Sequence, residues 1–232
     1  MNAVQRRRAP GVPEGRVIDV CSALELCYGS PRLGNPTQPE DELVYAMLSS
    51  RSSPEIAVRV YQALKARFAT WDDFLHSPSK VTAQVLQPAG LWRLRNQQIR
   101  RALRTVRRTF GEQGLISLRS WPQDRAEKFL LTLPGVSKKV AKCIMLYTLD
   151  FAVLPVDIHV HRISKRLGWT SKNRPDLSQK ELEQMVPPDL RYGFHVNCVA
   201  HGRLICCPLA PTCDDCCLSF LCPSARGRSP SW

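Results

Sequence analysis

No run of apolar residues in this 232-residue chain approaches the roughly 20 needed to span a bilayer. No apolar segment stands behind the basic start either, so the expectation is a protein that stays inside the cell, in the cytoplasm or nucleoid if bacterial, and makes no contact with membrane. Alternating strand patterns are missing, as is any internal repeat, which turns the expected fold away from sheets. Acidic residues are scarce: 20 stand against 33 lysines and arginines, leaving a net charge of +13. A polyanion is the natural partner of such a chain, although a merely soluble basic protein has the same balance. The excess is spread over runs at Arg6 to Arg8, Arg93 to Arg108 and Lys138 to Lys142, so charge alone locates no binding face. Ten cysteines in a chain without an export signal do not suggest a disulfide framework, because cytosolic thiols are kept reduced; metal or cluster ligation explains them better.

What is present is helical spacing. After a start rich in Arg, Pro and Gly, Val17 to Tyr28 suits a short amphipathic helix, and a proline-bearing loop follows from Gly29 to Pro39. Leu43, Ala46, Met47 and Ser50 then share one face, as do Ile56, Val60, Leu64 and Phe68, and later Ile99, Leu103 and Val106. Ser52 or Ser53 ahead of Pro54 and Glu55 predicts one helix cap, and Ser178 with Glu181 predicts another. The predicted fold is all-α, with about ten helices joined by short loops.

The segment Phe129 to Tyr147, FLLTLPGVSKKVAKCIMLY, reads as an apolar helix end, a tight turn and a second helix carrying three lysines. Pro134 stops the first helix and Gly135 permits the reversal, so the N–H groups opening the second helix point outward together. A phosphate suits such a site without any base-specific contact. A plain connection between two helices has the same pattern. Downstream, Leu154 to Ile163 places Asp157 just after Pro155 where another helix begins; the plain reading of Asp157 is an N-cap, and of His159 a partly buried histidine bonded to backbone.

Taken together, Leu133-Pro134-Gly135-Val136-Ser137-Lys138-Lys139 and Val156-Asp157-Ile158-His159 resemble the signature of the helix-hairpin-helix DNA glycosylases of the endonuclease III type. The resemblance puts Lys139 on the lysine of the bifunctional members and Asp157 on the catalytic aspartate. Ser137 stands where the family usually has a second glycine, and it keeps the backbone N–H. Lys139 would displace the base, form a Schiff base with the opened sugar and promote β-elimination. Cutting a glycosidic bond in this way needs a neutral amine, which neighbouring cations such as Lys138 and Lys142 or desolvation would favour. A carboxylate at Asp157 would assist proton transfer and offset positive charge on the sugar.

The resemblance extends to the elements that evert a nucleotide. Met47 to Ser52 is similar to one family loop, with Arg51 at the position of a wedge glutamine, and Gly90-Leu91-Trp92 is similar to the loop whose apolar residue fills the vacated stack. The implied DNA contacts are therefore Arg51, Leu91, Gly135, Ser137, Lys138, Lys142 and His159. Tyr45 occupies the position of the glutamate of adenine glycosylases, which ranks that activity low. The segment from Val156 to Trp169 also looks like that of the plant 5-methylcytosine glycosylases, so a modified cytosine stands beside oxidised pyrimidines and uracil as a substrate.

Cys206, Cys213, Cys216 and Cys222 have the spacing C-x6-C-x2-C-x5-C and follow His201-Gly202-Arg203. Four thiolates so spaced suit either an iron-sulfur cluster or a zinc ion. The resemblance to the endonuclease III cluster loop implies a 4Fe-4S cluster with a structural role. Cys207 and Cys217 adjoin two of these ligands, so the register rests on the family match, while Cys21, Cys27, Cys143 and Cys198 are expected to be small buried residues.

The resemblance spans about residues 36 to 225. It implies two helical lobes with a DNA-binding cleft between them: a helical barrel over 36–151, and a cluster domain over 152–232 joined by the N-terminal segment 1–35. It also implies a monomeric base-excision-repair glycosylase and abasic-site lyase acting on double-stranded DNA that contains a damaged or modified pyrimidine. A binder of DNA structure that keeps the hairpin and cluster but catalyses nothing is the rival reading.

Overall fold

The computed structural model describes residues 14–50 and 52–226. Among them the secondary structure is helical throughout, so the all-α expectation holds. The order is α1 (Glu14–Tyr28), α2 (Pro39–Ser49), α3 (Pro54–Arg67), α4 (Trp71–His76), α5 (Ser79–Leu86), α6 (Trp92–Phe110), α7 (Gln123–Thr132), α8 (Lys138–Thr148), α9 (Ile158–Arg166), α10 (Pro175–Met185), α11 (Arg191–Leu204) and α12 (Pro223–Arg226). Short 3-10 segments occupy Gln87–Ala89, Gly111–Ser120 and Pro188–Leu190.

Local chemistry sets many of the helix starts. Proline opens α2, α3 and α10, where its missing N–H removes one of the donors a helix start leaves unsatisfied. Ser53 caps α3 by accepting from the Ile56 N–H, and Thr70 with Asp73 forms a reciprocal capping box at α4. The cap expected at Ser178 is not there: α10 begins a turn earlier at Pro175. Ser178 is buried, its hydroxyl donating to the Pro175 carbonyl and lying 3.0 Å from His161 Nδ1. A proline with its φ already set outcompeted a serine one turn on.

The chain forms two units, one of residues Arg32–Pro155 and the other of Met1–Pro31 with Val156–Trp232. The sequence expectation drew these divisions after residues 35 and 151. In the first unit α2 is the central element, buried along Leu43, Val44, Ala46, Met47 and Leu48 and packed against α3, α6 and α8. Leu64, Phe74, Ile99, Leu103, Leu130 and Ile144 close the same core. Each such large apolar side chain contributes on the order of 2 kcal/mol through burial. In the second unit α1 buries Val17, Val20 and Leu24 and packs on α11, while Trp169 stacks on Phe194 with ring centroids 5.6 Å apart.

Candidate active site and cysteine loop

In the first unit, α7 ends at Thr132 and the chain reverses within five residues before α8 begins. The Val136 N–H closes the turn on the Leu133 carbonyl at 3.1 Å. Gly135 adopts φ +83, and a Cβ there would lie 2.8 Å from Met47 Cε and 2.9 Å from Gln98 Oε1, so glycine is required twice over. Ser137 is extended (φ −88, ψ 170), a conformation any residue adopts, which explains why serine replaces glycine without cost. Its hydroxyl caps α8, accepting from the Val140 N–H at 3.4 Å. Gly135, Ser137 and Lys138 are exposed at this turn, and Lys139 is half-buried on the first turn of α8.

Leu91 lies on the same concave surface. It takes the left-handed conformation (φ 48, ψ 29) immediately before α6 and is 59% exposed, an unusual state for a leucine. A cavity of about 330 Å³ is lined by Leu91, Leu94, Met47, Ser50, Gly135 and Ser137, among others. Three of the residues expected to meet DNA thus border one depression. Arg51 lies outside the described residues.

Lys142 corrects the sequence reading. It is only 3% exposed, and its ammonium sits 2.9 Å from Glu127, so it holds α8 to α7 and is not available to a phosphate. Spacing could not separate it from its neighbours: three positions beyond Lys139, it turns onto the packed face of the helix.

Sequence reasoning also missed Arg95. It is buried, and its guanidinium donates to the carbonyls of Met47 (2.7 Å), Leu48 (2.9 Å) and Gly90 (3.0 Å) and to the Ser52 hydroxyl (3.1 Å). It ties the loop that carries Leu91 to the C-terminal end of α2, satisfying carbonyls that a helix end leaves open. Arg100 does the same for Phe74, Leu75 and Ser77. The basic run in α6 is therefore of mixed purpose, with Arg93, Arg101, Arg104, Arg107 and Arg108 exposed and these two inside.

Glu42 is the other residue that sequence reasoning passed over. It lies on α2, fully buried, with both carboxylate oxygens 3.0 Å from the Asn35 side-chain amide nitrogen. Burial pushes its carboxyl up to about 8, opposed by the Asn35 hydrogen bond and the positive charge of Lys139.

In the second unit Asp157 is the N-cap of α9. Its Oδ1 accepts from the N–H groups of both His159 and Val160 at 2.9 Å. Oδ2 takes no part in this cap. His159 is half-buried; burial holds its pKa below the usual imidazole range, the Arg162 and Arg203 charges add to that, and Asp157 opposes them. Its Nδ1 lies 3.1 Å from Arg162 Nη2. A Cβ on Gly202 would come 2.5 Å from the same nitrogen, which gives the glycine of His201-Gly202-Arg203 a physical reason.

The four expected ligands, Cys206, Cys213, Cys216 and Cys222, line one cavity together with Arg166, Ile205, Pro211 and Thr212; Cys207 and Cys217 are not among its walls. Arg162 and Arg166, one turn apart on α9, hold this loop. Arg162 donates to the Cys206 carbonyl (2.8 Å), and Arg166 to Cys206 Sγ (2.9 Å) and the Cys207 carbonyl (2.9 Å). The Leu218 N–H donates to Cys216 Sγ at 3.4 Å. His201 bridges inward, with Nδ1 2.8 Å from the Tyr28 hydroxyl and Nε2 3.4 Å from Cys216 Sγ. Among the described residues no three His, Cys, Asp or Glu side chains are arranged to hold a metal ion. Thiols spread around a shared cavity suit a cluster, whose ligands bind separate irons, better than a lone zinc with every sulfur about 2.3 Å away. Of the remaining cysteines, Cys21, Cys143 and Cys198 are buried as expected, whereas Cys27 is exposed at the end of α1.

An all-helical fold with a capped hairpin, an exposed apolar residue beside it and a four-cysteine loop defines a class. Residues 44–188 match the HhH-GPD superfamily of base excision DNA repair proteins, and the chain belongs to that family. It is 32% identical to the Endonuclease III-like protein 1 of Bos taurus over 88% of this chain and 64% of that protein, so it spans somewhat less than two thirds of this relative. It is 30% identical to Endonuclease III of Synechocystis sp. over 81% of this chain and 82% of that protein, and 29% identical to that of Thermotoga maritima over 89% and 92%. The fold is that of a structure titled as a non-covalent Endonuclease III-DNA complex, with a TM-score of 0.79 at 22% identity over 93% of this chain and 97% of that one. None of the helices among the described residues is long and apolar enough to cross a membrane.

Proposed function

We propose that this chain is a base-excision-repair DNA glycosylase with abasic-site lyase activity, acting on damaged or modified pyrimidines in duplex DNA. The observation that carries the reading is the hairpin. Gly135 in its left-handed turn and the serine-capped start of α8 border the depression that Leu91 overhangs, with Lys139 on the following turn, and this arrangement supports a phosphate seat there.

On this reading a backbone phosphate rests on the outward N–H groups at the start of α8, favoured by the positive helix end, while Lys138 adds charge from the exposed side. Leu91 fills the space of the everted nucleotide, whose unstacking costs a few kcal/mol. The Lys139 amine attacks the anomeric carbon, and the base leaves with the bonding electrons and a proton. The resulting Schiff base then supports loss of the 3′ phosphate by β-elimination. Asp157 is the proposed acid-base group of the reaction: its cap uses Oδ1, which leaves Oδ2 for a proton or a developing positive charge.

Cys206, Cys213, Cys216 and Cys222 would hold a 4Fe-4S cluster. When bound, such a group cross-links a loop with little core of its own, and it takes no part in base excision. Purified protein is expected to be brown, with iron and acid-labile sulfide in equal amounts; a colourless protein containing zinc would contradict this assignment. The test of the activity is a panel of duplexes, each with one defined lesion, scored separately for base release and strand cleavage. Oxidised pyrimidines, uracil and modified cytosines are its arms. Tight binding to such duplexes with neither product would favour a non-catalytic binder and refute the enzyme.

A further inference from the structure

Leu91 is held in a state that a leucine does not adopt unaided. Its backbone is left-handed, Gly90 before it also has a positive φ (+67), and its side chain is 59% exposed. Left to itself, such a loop would relax toward ordinary backbone angles and lay the leucine against the protein. Something within the first unit has to hold it.

The carbonyls of the loop show what does so. Three in succession are taken by donors of the protein: that of Ala89 accepts from the Ser52 hydroxyl at 3.1 Å, that of Gly90 from Arg95 Nε at 3.0 Å and that of Leu91 from the Arg95 backbone N–H at 2.9 Å. Ser52 is itself held by Arg95 Nη2 at 3.1 Å, so all three links run through one residue. The guanidinium is anchored by Nη1, which donates to the Met47 and Leu48 carbonyls at the C-terminal end of α2. That end carries the negative pole of the helix, which offsets the cost of a cation only 7% exposed. A planar fork reaches from α2 to the loop in several directions at once, as a single ammonium does not.

We propose that Arg95 is a positioning residue for nucleotide eversion: through Ser52 and the carbonyls of Ala89 and Gly90 it fixes Leu91 in its left-handed, exposed state before DNA arrives. The inference rests on Leu91 entering the vacated stack, as proposed above. Presetting matters because unstacking a nucleotide is already unfavourable, and a loop that had also to be ordered and strained on encounter would add to the barrier. With the loop fixed in advance, that part of the cost is met during folding.

The experiment is stopped-flow fluorescence of a duplex carrying 2-aminopurine beside a tetrahydrofuran abasic analogue, at saturating protein, so that the rate of the fluorescence rise reports unstacking and not affinity. Wild type, Leu91→Ala, Arg95→Met and the double variant form a cycle. Leu91→Ala should slow the rise, and Arg95→Met should slow it about tenfold, the usual size of one strained backbone conformation left unsupported. In the Leu91→Ala background Arg95→Met should add little, because the side chain it positions is gone. An equal factor in both backgrounds is what general loosening of the fold produces, and it overturns the proposal, as does an unchanged rate in Arg95→Met. If Arg95→Met does not fold, Ser52→Ala decides, since it removes only one link of the clamp. Its loss should be about threefold and confined to the protein that keeps Leu91; no loss, or the same loss in Leu91→Ala, overturns the proposal. A rise as fast in Leu91→Ala as in wild type would instead refute the underlying role of Leu91.

Discussion

Single residues carry much of the weight here because several are held where ordinary preferences would not put them. Gly135 is one: an alanine would need φ +83 and would press on Met47 and Gln98. We expect Gly135→Ala to cost about 1–2 kcal/mol in urea unfolding from the backbone conformation alone, and to weaken binding to an abasic duplex beyond that loss. Unchanged binding would remove the turn from the DNA surface. Glu42 is another. Its carboxyl is raised in the folded state, so its stabilising contribution is complete below the ordinary carboxylate range and is lost as pH rises through about 8. Glu42→Gln should therefore gain melting temperature relative to wild type between pH 6 and 9, and a constant difference would contradict the buried carboxyl. Neither Glu42 nor Arg95 was legible beforehand. A glutamate in a helix and an arginine in a basic run are ordinarily solvated, and only the packing of α2 against α6 and α8 brings them inside.

Helices and their ends were read more easily, because their signals are local. The faces built on Leu43, Val60 and Ile99 are buried, and the caps at Ser53 and Asp157 form as the residue types suggest. Ser178 failed because two start signals competed within one turn, and the choice between them depended on the partner that its hydroxyl finds in His161. Lys142 failed for a related reason: the helix was foreseen, its orientation was not. The double use of Asp157 permits a clean separation of folding from chemistry. Asparagine retains the carbonyl oxygen that accepts from His159 and Val160, whereas alanine does not. Asp157→Asn should melt close to wild type and Asp157→Ala about 1 kcal/mol lower, the usual value of an N-cap. Both should lose most of the base-release activity. Full activity in the asparagine variant would reduce Asp157 to a cap.

At the scale of the whole molecule, the +13 charge and the exposed arginines of α6 call for binding driven by counterion release. Affinity for an undamaged duplex should fall steeply as salt rises from 50 to 200 mM, on the order of tenfold or more even if only a few phosphates are neutralised; a flat dependence would leave the charge without a role in DNA binding. The all-helical class and the cysteine loop were visible in the sequence because cysteine spacing and helical periodicity are local properties. Everything proposed for catalysis nevertheless reduces to one covalent bond. The most direct measurement is borohydride trapping on an abasic duplex, followed by proteolysis and mass spectrometry of the adduct. The deoxyribose remnant should sit on Lys139, and no adduct should form with Lys139→Gln. A remnant on Lys138 or any other amine, or an undiminished adduct in that variant, would contradict the account.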